Sequence, residues 1–136
     1  MIYRDTPSGG QALVAGVYQK LTVFAQFAGP SSGITADVAG DRLVIVTPGV
    51  YLVYFSVSYT KGGTAGQLSH RVFVNGAPAP AVSARNLTFV FFPSSNEGMG
   101  ILSLSAADTI EVFANPTTAG TTTVQRGQLY AERLDP

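Results

Sequence analysis

The residues of this chain that could do chemistry are few, and their spacing decides what they could do. His70 is the only histidine, and the chain holds no cysteine. The usual Cys/His zinc patterns are therefore excluded, as is thiolate chemistry. His70 shares strand parity with Leu68, Val72 and Val74, which predicts that it points inward as a hydrogen-bonded structural residue. Ser58 or Ser69 could be drawn into a Ser-His-Asp arrangement, but the nucleophile-elbow motif Gly-x-Ser-x-Gly is absent. Asp37 and Asp41 stand four apart in a loop. Two carboxylates fall short of the roughly six to eight oxygens that calcium takes, so the expected role is turn stabilisation. Asp108 follows "SAA" and precedes a strand, where its side chain is expected to cap the turn. Glu97 and Glu111 form no recognisable pair for acid–base work on a glycoside. "NLT" at 86–88 has the form of a glycosylation acceptor. No catalytic residue, cofactor site or metal site is expected.

The elements that position these residues read as strands. "TPGVYLVYFSVSYT" (47–60) runs fourteen residues without a charge, in a chain of eight basic and eight acidic residues. A membrane-spanning helix needs about 20 apolar residues in succession, and Pro48, Gly49 and several hydroxyls interrupt this run. Its period is two. Tyr51, Val53, Phe55, Val57 and Tyr59 form one apolar face; Leu52, Tyr54, Ser56, Ser58 and Thr60 form a second that begins apolar and ends polar. The first is expected in the core, and the second is expected to be covered only in part.

The rest of the chain follows the same pattern. Its 136 residues suit one domain, large enough to bury roughly two thirds of its unfolded surface. Fifteen glycines and eight prolines favour an all-β chain rich in turns. Further strand candidates are 18–27, 41–47, 67–74, 77–84, 86–92, 98–105, 108–114 and 122–134, with "GPSSG" (29–33) as a turn. Asn75-Gly76 is a strong two-residue hairpin signal, and the prolines of "APAPAVSA" mark 77–84 as an edge strand. Residues 1–16 lack the alternation and read as an N-terminal arm; 17–136 read as the head domain. Zero formal net charge argues against nucleic acid as a main partner, and no segment points to a membrane.

The order of these motifs resembles the C1q and tumour-necrosis-factor-like family. "TPGVYLVYFSV" resembles its Pro-Gly-x-Tyr-x-x-x-Phe-like strand, and "VFVNG" the strand and Asn-Gly turn that follow. "EGMGILSLSAADTIEVFA" resembles its Gly-x-Gly, apolar, Leu-x-Leu, Gly-Asp-x-Val-x-Val segment, with Ala107 in place of the usual glycine before Asp108. "VQRGQLYAERL" resembles the closing strand, with Gly127 and Leu129 on its Gly-x-Leu core. The resemblance spans roughly residues 18–134. It implies a jelly-roll β-sandwich of about eight to ten antiparallel strands, assembled as a homotrimer. Leu52 and Tyr54 would then face the threefold axis, and Phe89, Phe91 and Tyr130 are expected to join the interface. The "FVFF" cluster at 89–92 exceeds what one core face needs, and surplus apolar surface marks interaction sites.

These features lead to an expected function without turnover: a structural module of a virion, a phage capsid decoration protein bound to the shell as a trimer. Its partner is expected to be the major capsid protein or another virion protein. The chain begins at Met1 with no apolar leader, which fits assembly in the host cytoplasm and a place on the capsid surface. The alternatives are a receptor-binding head of a tail fibre or surface filament, and a C1q-like secreted binding domain.

Overall fold

The structure is a computed structural model and describes residues 1–29, 32–89 and 91–135. Pro30 and Ser31 of the expected 29–33 turn, and Val90 of the "FVFF" cluster, lie outside the described residues.

Among the described residues, twelve strands build two antiparallel sheets. They are β1 (Ile2–Arg4), β2 (Gln11–Leu13), β3 (Gln19–Lys20), β4 (Gln26–Phe27), β5 (Ile34–Asp37), β6 (Arg42–Ile45), β7 (Gly49–Lys61), β8 (Gly66–Val74), β9 (Ala77–Thr88), β10 (Ser94–Leu104), β11 (Thr109–Pro116) and β12 (Gly120–Arg133). The first sheet has the order β10-β7-β12-β1-β4, with β2 also on β12. The second has the order β5-β6-β11-β8-β9, with β3 also on β11. The result is the all-β jelly-roll sandwich that the motif order implies.

The alternation of β7 decides how the layers meet. Tyr51, Val53, Phe55, Val57 and Tyr59 are fully buried between the sheets. They meet Leu68, Val72, Ile110 and Val112 from the second sheet and Leu129 and Val124 from β12. At about 25 cal/mol per Å² of apolar surface removed from water, this contact is the main source of stability. The Asn75-Gly76 hairpin joins β8 to β9, with φ of 51° and 77°. Positive φ at both central residues is the type I′ requirement. β9 ends the second sheet, as its prolines predict.

Three expectations are corrected. Residues 1–16 are not a detached arm: Ile2 pairs with Leu129 and Phe27, Gln11 with Thr122, and Ile2 and Leu13 lie in the core. Short polar segments carry no alternation to read, and they become strands because β12 offers an open edge. The expected strands 77–84 and 86–92 are one strand to Thr88, because Arg85 and Asn86 continue the ladder opposite Ser69 and Leu68. The 18–27 run divides into β3 and β4, and crosses from one sheet to the other.

Candidate functional site

The outward face of the first sheet carries an apolar stripe across three adjacent strands. Across β10, β7 and β12, Ile101 stands opposite Leu52 and Leu52 opposite Glu132; one pleat along, Met99 stands opposite Tyr54 and Tyr54 opposite Tyr130. Met99 and Ile101 are 63% and 62% exposed, while Leu52, Tyr54 and Tyr130 are half-buried against one another. Cross-strand neighbours on one face lie about 5 Å apart, so the five side chains form a continuous surface. Two carboxylates fasten its tyrosines: Tyr54 Oη donates to Glu97 at 3.1 Å, and Tyr130 Oη to Glu132 at 2.8 Å. The second bond holds the Tyr130 proton and raises its pKa.

Glycines explain why Met99 and Ile101 face outward. A Cβ on Gly98 would lie 2.6 Å from the Phe55 ring, and one on Gly100 would lie 2.8 Å from Val82. The inward side of β10 is thus filled by the Phe55 ring and by β9, and only glycine fits there. The residues between them must point out. Sequence reading identified Leu52, Tyr54 and Tyr130 for this face and missed Met99 and Ile101. The signal was the Gly-x-Gly spacing, which leaves Met99 and Ile101 on the opposite parity from the glycines.

Further along β7 the same face turns polar. Ser56 and Ser58 stand opposite Gln128 and Arg126 of β12, and Tyr3 of β1 stands opposite Gln128. The register of β12 shifts between Val124 and Arg126. This bulge brings both Arg126 and Gln128 to the outward face, while Gly127 and Leu129 stay buried. Bulges commonly re-aim side chains in this way.

Phe89 and Phe91 do not join the stripe. They belong to the β9–β10 connection, where the Phe91 N–H donates to the Lys61 carbonyl at 2.9 Å, at the far end of β7 from Leu52. Phe89 and Phe92 meet edge to face with centroids 6.4 Å apart, and Phe91 is 74% exposed. The cluster is a separate apolar tip.

The remaining candidate residues are accounted for by structural contacts. His70 is fully buried, and its Nδ1 lies 2.7 Å from Asn96 Nδ2, which also donates to the Leu68 carbonyl at 2.9 Å. Burial pushes the His70 pKa down to about 3 and that of its ring neighbour Tyr59 up to about 12. Ser58 and Ser69 both face outward, on opposite sheets, so strand parity separates each from His70. Asp37 accepts from Arg42 Nε at 2.7 Å and from the Gly40 N–H at 2.9 Å, and the Arg42 bond is the main cause of its lowered pKa. Asp41 accepts from the Phe24 N–H at 2.8 Å, while burial raises its pKa. Asp37 stabilises its turn, as expected, whereas the Asp41 carboxylate ties its turn to the distant backbone of Phe24. Asp108 caps its turn by accepting from the Ser105 N–H and from Asn75 Nδ2, each at 2.7 Å. Glu111 pairs with Lys20 at 2.9 Å on the second sheet, away from Glu97 on the first. Asn86 donates to the Ser95 carbonyl at 3.1 Å.

Lys61 was not singled out from sequence. It is 2% exposed, and its ammonium donates to the Thr64 carbonyl at 2.8 Å and to Thr118 Oγ1 at 3.1 Å, with no carboxylate partner among the described residues. Burial lowers its pKa. It ties the β7–β8 loop to the β11–β12 loop.

The sequence matches no family model and no curated protein. Solved structures do resemble it. An Eiger TNF from S. frugiperda aligns with a TM-score of 0.65 at 17% identity, covering 99% of this chain and 94% of that one. The globular domain of a zebrafish complement 1qA protein aligns with a TM-score of 0.61 at 16% identity, covering 97% and 95%. Murine APRIL aligns with a TM-score of 0.56 at 17% identity, covering 84% and 95%. At such identities the likeness is one of fold: this chain has the jelly roll of the TNF and C1q domains.

Proposed function

We propose that this chain is a non-enzymatic binding head that works as a homotrimer. The observation that carries the reading is the stripe of Leu52, Tyr54, Met99, Ile101 and Tyr130 across three adjacent strands. Contiguous exposed apolar surface of this kind marks an interaction site, and a second copy of the same stripe is a partner of matching chemistry. The likeness to TNF and C1q domains supports the same arrangement. The candidate catalytic residues support a role without turnover, because His70 is committed to the core and strand parity separates it from Ser58 and Ser69. Light scattering at micromolar concentration tests the trimer: about three times the chain mass of 14.2 kDa is expected, and a monodisperse monomer overturns it.

In its narrower form, the head decorates a virion capsid, with the major capsid protein as its partner. Three linked weak contacts would then gain avidity without any new contact type. The absence of surplus positive charge, which disfavours nucleic acid as the partner, supports a protein surface as the docking site. Co-sedimentation with undecorated particles tests it, and a trimer that stays in the supernatant overturns it. The likeness to the complement 1qA globular domain favours a second reading, a C1q-like binding head acting outside a particle.

A further inference from the structure

Beside the apolar stripe, the polar half of the same sheet face encloses an open cleft of about 340 Å³. That volume falls in the range of about 300–1,000 Å³ typical of small-molecule sites. Its floor is Ser56 and Ser58 of β7 and Gln128 of β12, and its walls are Tyr3 and Asp5 on one side and Arg126 on the other. All of these groups come from one chain, so the cleft does not depend on trimerisation.

The polar groups here are unspent. Among the described residues, the side chains of Ser56, Ser58, Arg126 and Gln128 make no hydrogen bond or ion pair within the chain. Arg4 lies at the edge of the cleft, and its guanidinium is held by neutral carbonyls: those of Val23, Thr6 at 3.4 Å and Pro7 at 3.1 Å. The Asp41 carboxylate also feels the charge of Arg4. Arg126 is therefore the guanidinium of the cleft that no carboxylate among the described residues engages.

We infer that this cleft binds a sugar bearing a carboxylate. The free fork of Arg126 is suited to a carboxylate, which it can grip through two parallel N–H donors. Ser56, Ser58 and Gln128 both donate and accept, as vicinal sugar hydroxyls require, and Asp5 supplies a strong acceptor. The Tyr3 ring offers an apolar wall to the C–H face of a pyranose. A simple inorganic anion would use Arg126 and leave the hydroxyl floor unpaired. A neutral sugar would leave the Arg126 fork unpaired.

The test is a calorimetric titration of the full chain with sodium glucuronate, glucose and sodium acetate. Glucuronate should bind with a millimolar or lower Kd, at least about tenfold tighter than either of the others, a difference of about 1.4 kcal/mol. Arg126→Gln should remove that preference, and Ser58→Val should weaken glucuronate several-fold, with melting temperature and molecular mass unchanged in both. Equal binding of glucose, equal binding of acetate, an unaffected Arg126→Gln, or no saturation at tens of millimolar each overturns the assignment. Because mass is recorded alongside, a failure here is separate from a failure to trimerise.

Discussion

The two outward faces of the sandwich are finished differently. On the second sheet, Phe73 stacks on Phe113 with ring centroids 3.9 Å apart, and Tyr18 leans over Phe73 at 5.4 Å. The Arg71 guanidinium lies 5.2 Å from the Tyr18 ring centre, and Lys20 pairs with Glu111 at 2.9 Å. Phe73 is left only 7% exposed. This face is closed by its own chain. On the first sheet, Met99 and Ile101 stay more than 60% exposed, with no loop among the described residues folded across them. A chain that covers one apolar face with Tyr18 and leaves the other bare has left room there for a partner.

The largest effect is expected from putting charge into the bare face. Met99→Asp with Ile101→Asp should weaken self-association at least about a hundredfold, about 3 kcal/mol, because charges buried without a partner are costly at an interface. Light scattering should fall from the trimer mass to 14.2 kDa, while Ser69→Asp on the closed face should leave the mass unchanged. The same loss from Ser69→Asp would erase the distinction between the faces.

The closed face should instead respond in stability. Phe73→Ala removes a buried, stacked ring and should cost about 3 kcal/mol in denaturant unfolding. Met99→Ala, measured on the dissociated chain, should stay within about 0.5 kcal/mol, as for exposed positions without special contacts. Similar losses at both sites would show that the first face is packed as well.

Acid probes the core that the two faces share. The His70 pKa lies near 6.5 in the unfolded chain and about 3 in the folded one. Above pH 6.5 both states are neutral at this site, so it adds no pH dependence. As pH falls below 6.5 the unfolded chain takes up a proton that the folded chain refuses, and stability is lost until the folded value is reached. Between pH 6.5 and 5 the loss should be about 2 kcal/mol. In that window the carboxylates of Asp37 and Asp108 are still ionised, since their pKa values are lowered from 3.8. His70→Leu should flatten the denaturation profile there, and an unchanged slope in the variant would assign the acid sensitivity to other groups.

The smallest effect belongs to neither face. Ala107, in the β10–β11 connection, has φ of 71°. A side chain is strained in that region and glycine is not. Ala107→Gly should raise stability by about 0.5–1 kcal/mol, offset in part by the greater freedom of glycine in the unfolded chain. A fall in melting temperature would mean that the Ala107 methyl makes a contact worth more than the strain.

Much of the fold was legible because it is local. The strict alternation from Tyr51 to Tyr59 announced a core strand and the face opposite it. Asn75-Gly76 announced the hairpin, and the prolines after it announced the sheet edge. His70, at the parity of Leu68 and Val72, was legible as an inward residue for the same reason. The site was legible only in part. Leu52, Tyr54 and Tyr130 were read onto one face, whereas Phe89 and Phe91, grouped with them by composition, stand at a different end. Aromatic content says that surface is in surplus and not where it lies.

By itself, then, the sequence determined the strands that alternate, the turns that demand positive φ, and the order of motifs that makes a jelly roll. These depend on neighbours two or three residues apart. Tertiary structure alone decided that Ile2 pairs with Leu129 and that residues 1–16 complete a sheet. It also decided that Phe55 and Val82 occupy the space beside Gly98 and Gly100, which turns Met99 and Ile101 outward, and that the β12 bulge sets Arg126 over Ser58. A period of two shows that a strand has two faces. Which face meets the core, and which side chains from distant strands share the other, depends on pairings between segments up to 127 residues apart, and no local pattern encodes them.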